Sequence, residues 1–190
     1  LKTRKGIKNG LSTLHANLGL IYLNTGRLDE AFRELEEAIS ISRKEKDEKT
    51  ESFALSNLAM AYYNKGLIEE SMDYNLKALK ISEKNNDLYS ISTIYNNLGI
   101  IYHFLENFDK SLEYYKLALQ INQKRKDLYA TAIAYNNIGI IYFEKEQLDS
   151  SLYYHKKSLK IKEKQSDNQG IASSLHNVAT IYQANEEFDQ

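Results

Sequence analysis

An asparagine column is the feature of this sequence whose residue type and spacing could do chemistry. The same residue recurs every forty positions, at Asn17, Asn57, Asn97, Asn137 and Asn177. An amide side chain carries both a hydrogen-bond donor and an acceptor. Successive asparagines can therefore pair with the N–H and C=O groups of an extended peptide, which is the chemistry of binding and not of catalysis.

Catalytic and metal-binding patterns are missing from the sequence. It contains no phosphate-binding loop, no dinucleotide glycine motif and no Gly-x-Ser-x-Gly elbow. Its histidines share no column and have no partner four residues away, and paired acids such as Glu69 and Glu70 are typical of solvated helix faces. We therefore predict a protein that is not an enzyme, with no catalytic residue, no metal site and no cofactor. The histidines are His15, His103, His155 and His176.

The composition limits the classes of partner and compartment. The 190 residues include 25 basic and 26 acidic ones, so no strong field favours nucleic acid or an anionic membrane. Cysteine is absent, which excludes disulfides and thiolate metal sites and fits the cytosol and the periplasm equally well. No apolar run approaches the roughly 20 residues of a membrane helix. We predict a cytoplasmic protein, keep the periplasm open, and expect no membrane contact within this segment.

A forty-residue repeat organises the whole chain. Besides the asparagines, further columns hold a tyrosine, a branched apolar residue, a small residue and an acid at the same spacing. Self-similarity at a fixed period indicates a repeat architecture. The tyrosine column is Tyr22, Tyr62, Tyr102, Tyr142 and Tyr182; the small column is Gly19, Ala59, Gly99, Gly139 and Ala179; the acidic column is Asp29, Glu69, Asp109, Asp149 and Asp189; and Asp47, Asp87, Asp127 and Asp167 mark the turn into each next repeat.

Each repeat is predicted to form two helices joined by a short polar turn. Proline, which breaks helix interiors, is absent from the chain. The acidic column begins the second helix, where we expect its carboxylates to accept free backbone N–H groups. The small column lets the paired helices approach closely. In the third repeat, one helix face at the spacing i, i+3, i+4, i+7 is formed by Tyr95, Leu98, Gly99 and Tyr102.

These columns resemble the tetratricopeptide repeat, whose pattern runs bulky–x2–Leu–Gly–x2–Tyr and continues with alanine, an aromatic residue and alanine. The resemblance covers essentially the whole chain. Two features depart from the pattern: the closing proline is absent, and the period is forty where the usual one is about 34. This longer variety is similar to the repeats of kinesin light chain, Pins-type adaptors, bacterial peptide-pheromone receptors and bacterial signalling proteins. In the third repeat, the matching positions are Tyr95, Leu98, Gly99, Tyr102, Ser111, Tyr115 and Ala118.

The resemblance implies an all-α fold, a right-handed α-solenoid of antiparallel helix pairs that forms a single array over residues 1–190. We predict repeats at 12–51, 52–91, 92–131 and 132–171, with the end of a preceding repeat at 1–11 and a partial fifth repeat at 172–190. Neither end has the polar cap with which solenoids normally finish. We therefore expect a fragment of a longer array.

The same resemblance places the asparagine column in the concave groove, which the first helices line. There we predict that the asparagines hold the main chain of a bound peptide while an adjacent apolar row takes its side chains. An equally open interpretation is that the asparagines bond a neighbouring helix. The apolar row consists of Leu20, Met60, Ile100 and Ile140.

We accordingly predict a non-enzymatic scaffold that binds a peptide or protein partner in the groove, with no nucleic-acid partner. The alternative is a sensory or regulatory segment of a bacterial signalling protein, a histidine kinase or transcription regulator, whose effector part lies outside this chain. A third candidate is self-association through the uncapped ends. A clamp for a chaperone's carboxylate tail does not fit, because no cations converge at the groove positions Thr13, Phe53, Thr93, Ile133 and Ser173.

Overall fold

The computed structural model describes the backbone of residues 2–188 and the side chains of residues 10–185. Within that range it contains nine α-helices and no strand, which confirms the predicted all-α repeat class. Two or three residues join each helix to the next. The helices are α1 (Lys2–Asn24), α2 (Leu28–Glu45), α3 (Glu48–Asn64), α4 (Ile68–Lys84), α5 (Leu88–Phe104), α6 (Phe108–Lys124), α7 (Leu128–Glu144), α8 (Leu148–Lys164) and α9 (Asn168–Phe188).

The chain forms two compact units, residues 1–97 (unit 1) and 98–190 (unit 2), and the boundary between them along the chain falls within α5. In unit 1, α1 packs against α2 and α3 against α4; in unit 2, α7 packs against α8. Short connections make these neighbours antiparallel. Residues 2–11, predicted as the end of a preceding repeat, belong to the same unbroken helix as the start of the first repeat. The repeat boundaries themselves stay predictions.

Aspartates that mark the turns between repeats cap the first helices. Asp47 accepts a hydrogen bond from the backbone N–H of Thr50, and Asp127 accepts one from that of Ala130 at 3.0 Å. The acidic column does not cap the second helices as expected. Asp29 and Asp149 lie in the first turns of α2 and α8, whose N-cap residues make no side-chain cap bond. At the second residue of the helix, two positions after the N-cap, a carboxylate meets the positive end of the helix dipole but is not placed to cap.

We expect Asp127→Ala to lower the free energy of unfolding by about 1 kcal/mol, because an N-cap side chain is lost. Urea unfolding followed by circular dichroism measures the change. Asp127→Asn is the matched control and should keep most of the stability, since asparagine caps equally well. A second control, Asp149→Ala, should cost less, because Asp149 makes no cap bond. Equal losses in Asp127→Ala and Asp149→Ala would contradict the assignment of the caps.

Glycines of the small column allow the helices of a pair to approach closely, as predicted. A Cβ atom added to Gly99 would lie 2.5 Å from Cδ1 of Tyr115, a distance that would overpack the pair. In α3 and α4 the equivalent positions hold Ala59 and Asn75. The larger first-helix residue is thus matched by a smaller second-helix residue. The other close glycine pairs are Gly19 with Leu35 and Gly139 with His155.

Three members of the tyrosine column stack on an aromatic ring of the second helix. The rings are nearly parallel, with interplanar angles of 5° to 11°. Such offset pairs add to the stability that comes from apolar burial. The ring centroids are 5.0 Å apart for Tyr62 and Tyr74, 5.4 Å for Tyr102 and Tyr114, and 5.4 Å for Tyr142 and Tyr154.

Candidate functional site

In unit 1, four residues predicted to contact a ligand lie on α1 and α3, which contact each other. Asn17 is exposed, whereas Leu20, Asn57 and Met60 are half-buried. Asn57 donates Nδ2 to the carbonyl of Phe53 at 3.0 Å within its own helix. That bond uses one of the two donors of the amide. Asn17 and Asn57 therefore combine surface access with polar groups that suit a peptide main chain.

Asn97 differs from these two, although it occupies the same column. Its side chain is 7% exposed. Its Nδ2 donates to Oγ of Ser56 at 3.2 Å and lies 3.5 Å from Oδ1 of Asn75. The amide thus connects α5 to both helices of the preceding pair inside unit 1. Asn97 thus bonds a neighbouring helix, which was the second of the two interpretations that the sequence left open. A ligand contact by Asn97 stays a prediction.

Unit 2 repeats this arrangement eighty positions later. Asn177 is half-buried and donates Nδ2 to Oδ1 of Asn136 at 3.0 Å. The same nitrogen lies 3.5 Å from Nδ1 of His155. Asn136 and His155 stand where unit 1 has Ser56 and Asn75. The Asn177 amide therefore joins α9 to α7 and α8.

The remaining predicted residues are half-buried. Asn137 and Ile140 lie on α7. Ile100 packs against the hydrophobic core of unit 2, which includes Tyr115 and Ile138. Part of the Ile100 side chain is therefore packed in the interior of unit 2, whereas Ile140 borders an open cavity.

That cavity has a volume of about 210 Å³ and brings together two of the predicted residues, Ile140 and Asn177. Thr180 supplies the reason for it. In the preceding repeats its column holds Met60, Ile100 and Ile140, and the smaller threonine leaves space beside Ile140. Sequence reasoning missed the cavity, although this departure from the apolar row was the available signal. The complete lining is Ile140, Phe143, His155, His176, Asn177, Thr180 and Ile181.

Burial controls the charge of the cavity. His155 is 2% exposed, and desolvation, with a smaller contribution from the positive charge of Lys162, lowers its pKa to about 4. Its imidazole is therefore neutral near pH 7. Burial also lowers the pKa of Lys162, which Asp167 partly opposes. The cavity thus offers apolar walls and neutral hydrogen-bonding groups, which suit an uncharged side chain.

Two searches of the described residues concern other classes of site. Among side chains 10–185, no group of three or more histidine, aspartate or glutamate residues lies close enough together to hold a metal ion. None of the helices in the described part of the chain is long and apolar enough to cross a membrane.

Comparison with known proteins gives a family match and similar folds. The family model described as "Tetratricopeptide repeat" matches residues 11–84, 90–164 and 131–190. Nothing among the curated proteins matches the chain. BtubC (BKLC) from P. vanneervenii is similar in structure, with a TM-score of 0.82 and 24% identity over 96% of this chain and 76% of that one.

Two further similar structures belong to longer proteins. One is a signal transduction ATPase with numerous domains that has a tetratricopeptide repeat sensor, PH0952 from Pyrococcus horikoshii, with a TM-score of 0.76 and 20% identity over 91% of this chain. The other is the apo form of RapI, with a TM-score of 0.75 and 20% identity over 88% of this chain. The chain spans only 27% of the first protein and 46% of the second. At these identities the likeness concerns the fold.

Proposed function

This chain belongs to the tetratricopeptide repeat family, and on that premise we propose that it is a non-enzymatic scaffold that holds a segment of a peptide or protein partner. The observation that carries the proposal is the cavity of about 210 Å³ beside Ile140 and Asn177. Pockets for small molecules usually measure about 300–1,000 Å³. A smaller space with apolar walls and neutral polar groups suits one side chain of a partner better than a cofactor.

The asparagine column has two roles in this proposal. Asn17 and Asn57 contact the main chain of the partner, because they retain surface access. Asn97 and Asn177 hold neighbouring helices together through the bonds described above. The apolar residues Leu20, Met60, Ile100 and Ile140 receive side chains of the partner where they are accessible.

We expect the double variant Asn17→Ala/Asn57→Ala to bind a partner peptide about 5–150-fold more weakly, because two hydrogen bonds of about 0.5–1.5 kcal/mol each are lost. The peptide is selected from a random display library against the native chain, and calorimetry measures its affinity. The melting temperature should hardly change. The matched control, Asn97→Ala, should instead lower the free energy of unfolding by about 1–3 kcal/mol, since partners of a buried amide are left unpaired. Unchanged affinity in the double variant would refute the proposed contacts.

A second candidate function is that of a sensory or regulatory segment in a signalling protein. The similarity to the sensor-bearing ATPase, of which this chain spans 27%, favours it. In this case the bound segment or ligand would control an effector such as a histidine kinase or transcription regulator. The complete reading frame of the gene distinguishes the two candidates. A kinase core or DNA-binding domain joined to the repeats favours the regulatory role, and further repeats alone favour the scaffold.

A further inference from the structure

In unit 2, a tyrosine from α7 fills the groove between the second helices α6 and α8. Tyr135 is 9% exposed and belongs to the hydrophobic core. Its hydroxyl oxygen accepts a hydrogen bond from Nε2 of Gln123 at 2.8 Å. Its ring lies 6.0 Å from the ring of Tyr154, and Nζ of Lys157 lies 5.5 Å from its centroid. An amide, an aromatic ring and a cation therefore surround this phenol.

Unit 1 has the same surroundings but lacks the ring. Eighty positions earlier, Tyr74 and Lys77 are identical in type to Tyr154 and Lys157, whereas Leu55 replaces Tyr135. A groove of about 520 Å³ lies there between α2 and α4. Among its lining residues are Ile39, Arg43, Leu55, Leu58, Tyr74 and Lys77.

We propose that this groove, the α2–α4 groove, binds the side chain of a tyrosine in a partner protein and that the bound ring takes the place that Tyr135 has in unit 2. Ile39 and Leu58 form the apolar floor, as Leu119 and Ile138 do in the core of unit 2. Lys77 lines the groove with its Nζ 4.8 Å from the centroid of the Tyr74 ring, close enough to contact a bound ring as well, and such cation–π contacts stabilise a bound aromatic group.

Arg43 provides the hydrogen bond to the phenol. It occupies the position of Gln123, the donor to Tyr135. Its Nε donates to Glu51 at 2.7 Å, and a guanidinium carries four further N–H donors. The ion pair with Glu51 keeps the arginine beside the groove while those donors face an incoming hydroxyl.

The charges of the groove favour a neutral tyrosine over a phosphorylated one. Arg43 pairs with Glu51, and Lys77 pairs with Asp73. The other lining charges are those of Lys44 and Glu36. The three lining cations are therefore offset by three carboxylates, of which Glu36 lines the groove and Glu51 and Asp73 lie beside it, and this balance provides no net attraction for a phosphate dianion.

The groove is distinct from the surface assigned to the proposed function. On α3, Leu55 lies two positions before Asn57, and Leu58 lies two positions before Met60. Two positions correspond to a rotation of about 200° around the helix. The two pairs therefore face opposite sides of α3. A partner at the α2–α4 groove would leave the asparagine surface free, so the two sites can be tested separately.

The test is a titration of the methyl-labelled chain with N-acetyl-tyrosinamide, followed by NMR. We expect saturable shifts at Ile39, Leu55 and Leu58. N-acetyl-phenylalaninamide should bind about 2–10-fold more weakly, because the hydroxyl bond is lost. Leu55→Tyr should abolish binding by supplying the ring from within the chain, and Tyr135→Leu should create a second set of shifts in unit 2. Asn57→Ala should have no effect.

Should Leu55→Tyr or Tyr135→Leu fail to fold, the exposed residue Lys77 keeps the proposal testable. Lys77→Met should weaken binding of N-acetyl-tyrosinamide about 2–5-fold through the lost cation–π contact. The proposal is overturned by an absence of saturable shifts up to the solubility limit, by a preference for the phenylalanine probe or for phosphotyrosine, or by unchanged binding in folded Leu55→Tyr or Lys77→Met.

Discussion

Replacing Tyr115 with asparagine should lower the free energy of unfolding by about 3–5 kcal/mol, the usual loss when a large aromatic side chain is removed from a core. Tyr115 is 2% exposed and lies directly against Gly99. Asparagine is the residue that the equivalent position of α4 holds, at Asn75. The substitution therefore introduces a side chain that this fold already accepts at the equivalent position. There it lies opposite Ala59, whereas here it would lie opposite Gly99.

The effect of a second substitution, Gly99→Ala, on the free energy of unfolding should change sign with the residue that lies opposite it. In the native chain the new Cβ meets the Tyr115 ring at 2.5 Å, and the overpacking should cost about 1–3 kcal/mol. In the Tyr115→Asn background the same methyl fills vacated space and replaces a helical glycine, which should return about 1 kcal/mol. The double variant reproduces the natural pair of Ala59 and Asn75.

Urea unfolding of the four proteins gives the coupling energy, which we expect to be about 2–4 kcal/mol, the difference between the effects of Gly99→Ala in the two backgrounds. Leu35→Ala is a suitable reference, because Leu35 is fully buried but belongs to a different helix pair. Its effect should add to those of the other substitutions, since sites without shared partners behave additively. If Gly99→Ala destabilises both backgrounds equally, the glycine is not held by the opposing ring.

Lowering the pH from about 6.5 to about 4 should cost the folded chain about 3 kcal/mol through His155 alone, since its pKa falls from 6.5 in the unfolded chain to about 4 in the folded one. Between these values the unfolded chain binds a proton that the buried imidazole does not. Stability due to this group therefore rises with pH across the window and is lost as the pH falls. Above pH 6.5 the contribution should be constant.

Other groups titrate in the same window, so the measurement is a difference between variants. Denaturant unfolding across this pH range should give a shallower slope for His155→Asn than for the native protein. Asparagine occupies the equivalent position at Asn75 and does not titrate. The exposed His176 provides a parallel variant, His176→Asn, which controls for the removal of an imidazole from the surface. Identical slopes in the native chain and His155→Asn would show that the imidazole is not buried in its neutral form.

The helices and their pairing could be predicted from the sequence because each repeat supplies the same evidence again. Which asparagines bond a neighbouring helix could not be predicted, because these bonds depend on residues of the preceding repeat. Asn97 reaches Ser56 and Asn75, whereas the positions equivalent to these two in the first repeat hold Ala16 and Leu35. A column shows where a side chain starts on its helix, but its hydrogen-bond partners must be read from two other columns.

The two cavities were missed for a related reason. The first arises where Thr180 replaces the larger apolar residues of its column, and the second where Leu55 stands in a column that holds tyrosine only at Tyr95 and Tyr135. A departure in one column shows a change of volume, but only the structure shows which neighbours leave the space unfilled. The N-caps of α2 and α8, Arg27 and Gln147, lie two positions before the acidic column that was expected to cap, because capping depends on the backbone conformation at the turn.

The hydrogen bonds between helices within each unit also bear on how the chain acquires its structure. Those of Ser111, Ser52 and Asn97 connect residues only 12, 26 and 41 positions apart. Such short separations give a low contact order, and chains of this kind fold rapidly. Folding of a repeat array can start at any repeat and spread to its neighbours. The early repeats can therefore pack on one another as they leave the ribosome, before the last repeats have been synthesised.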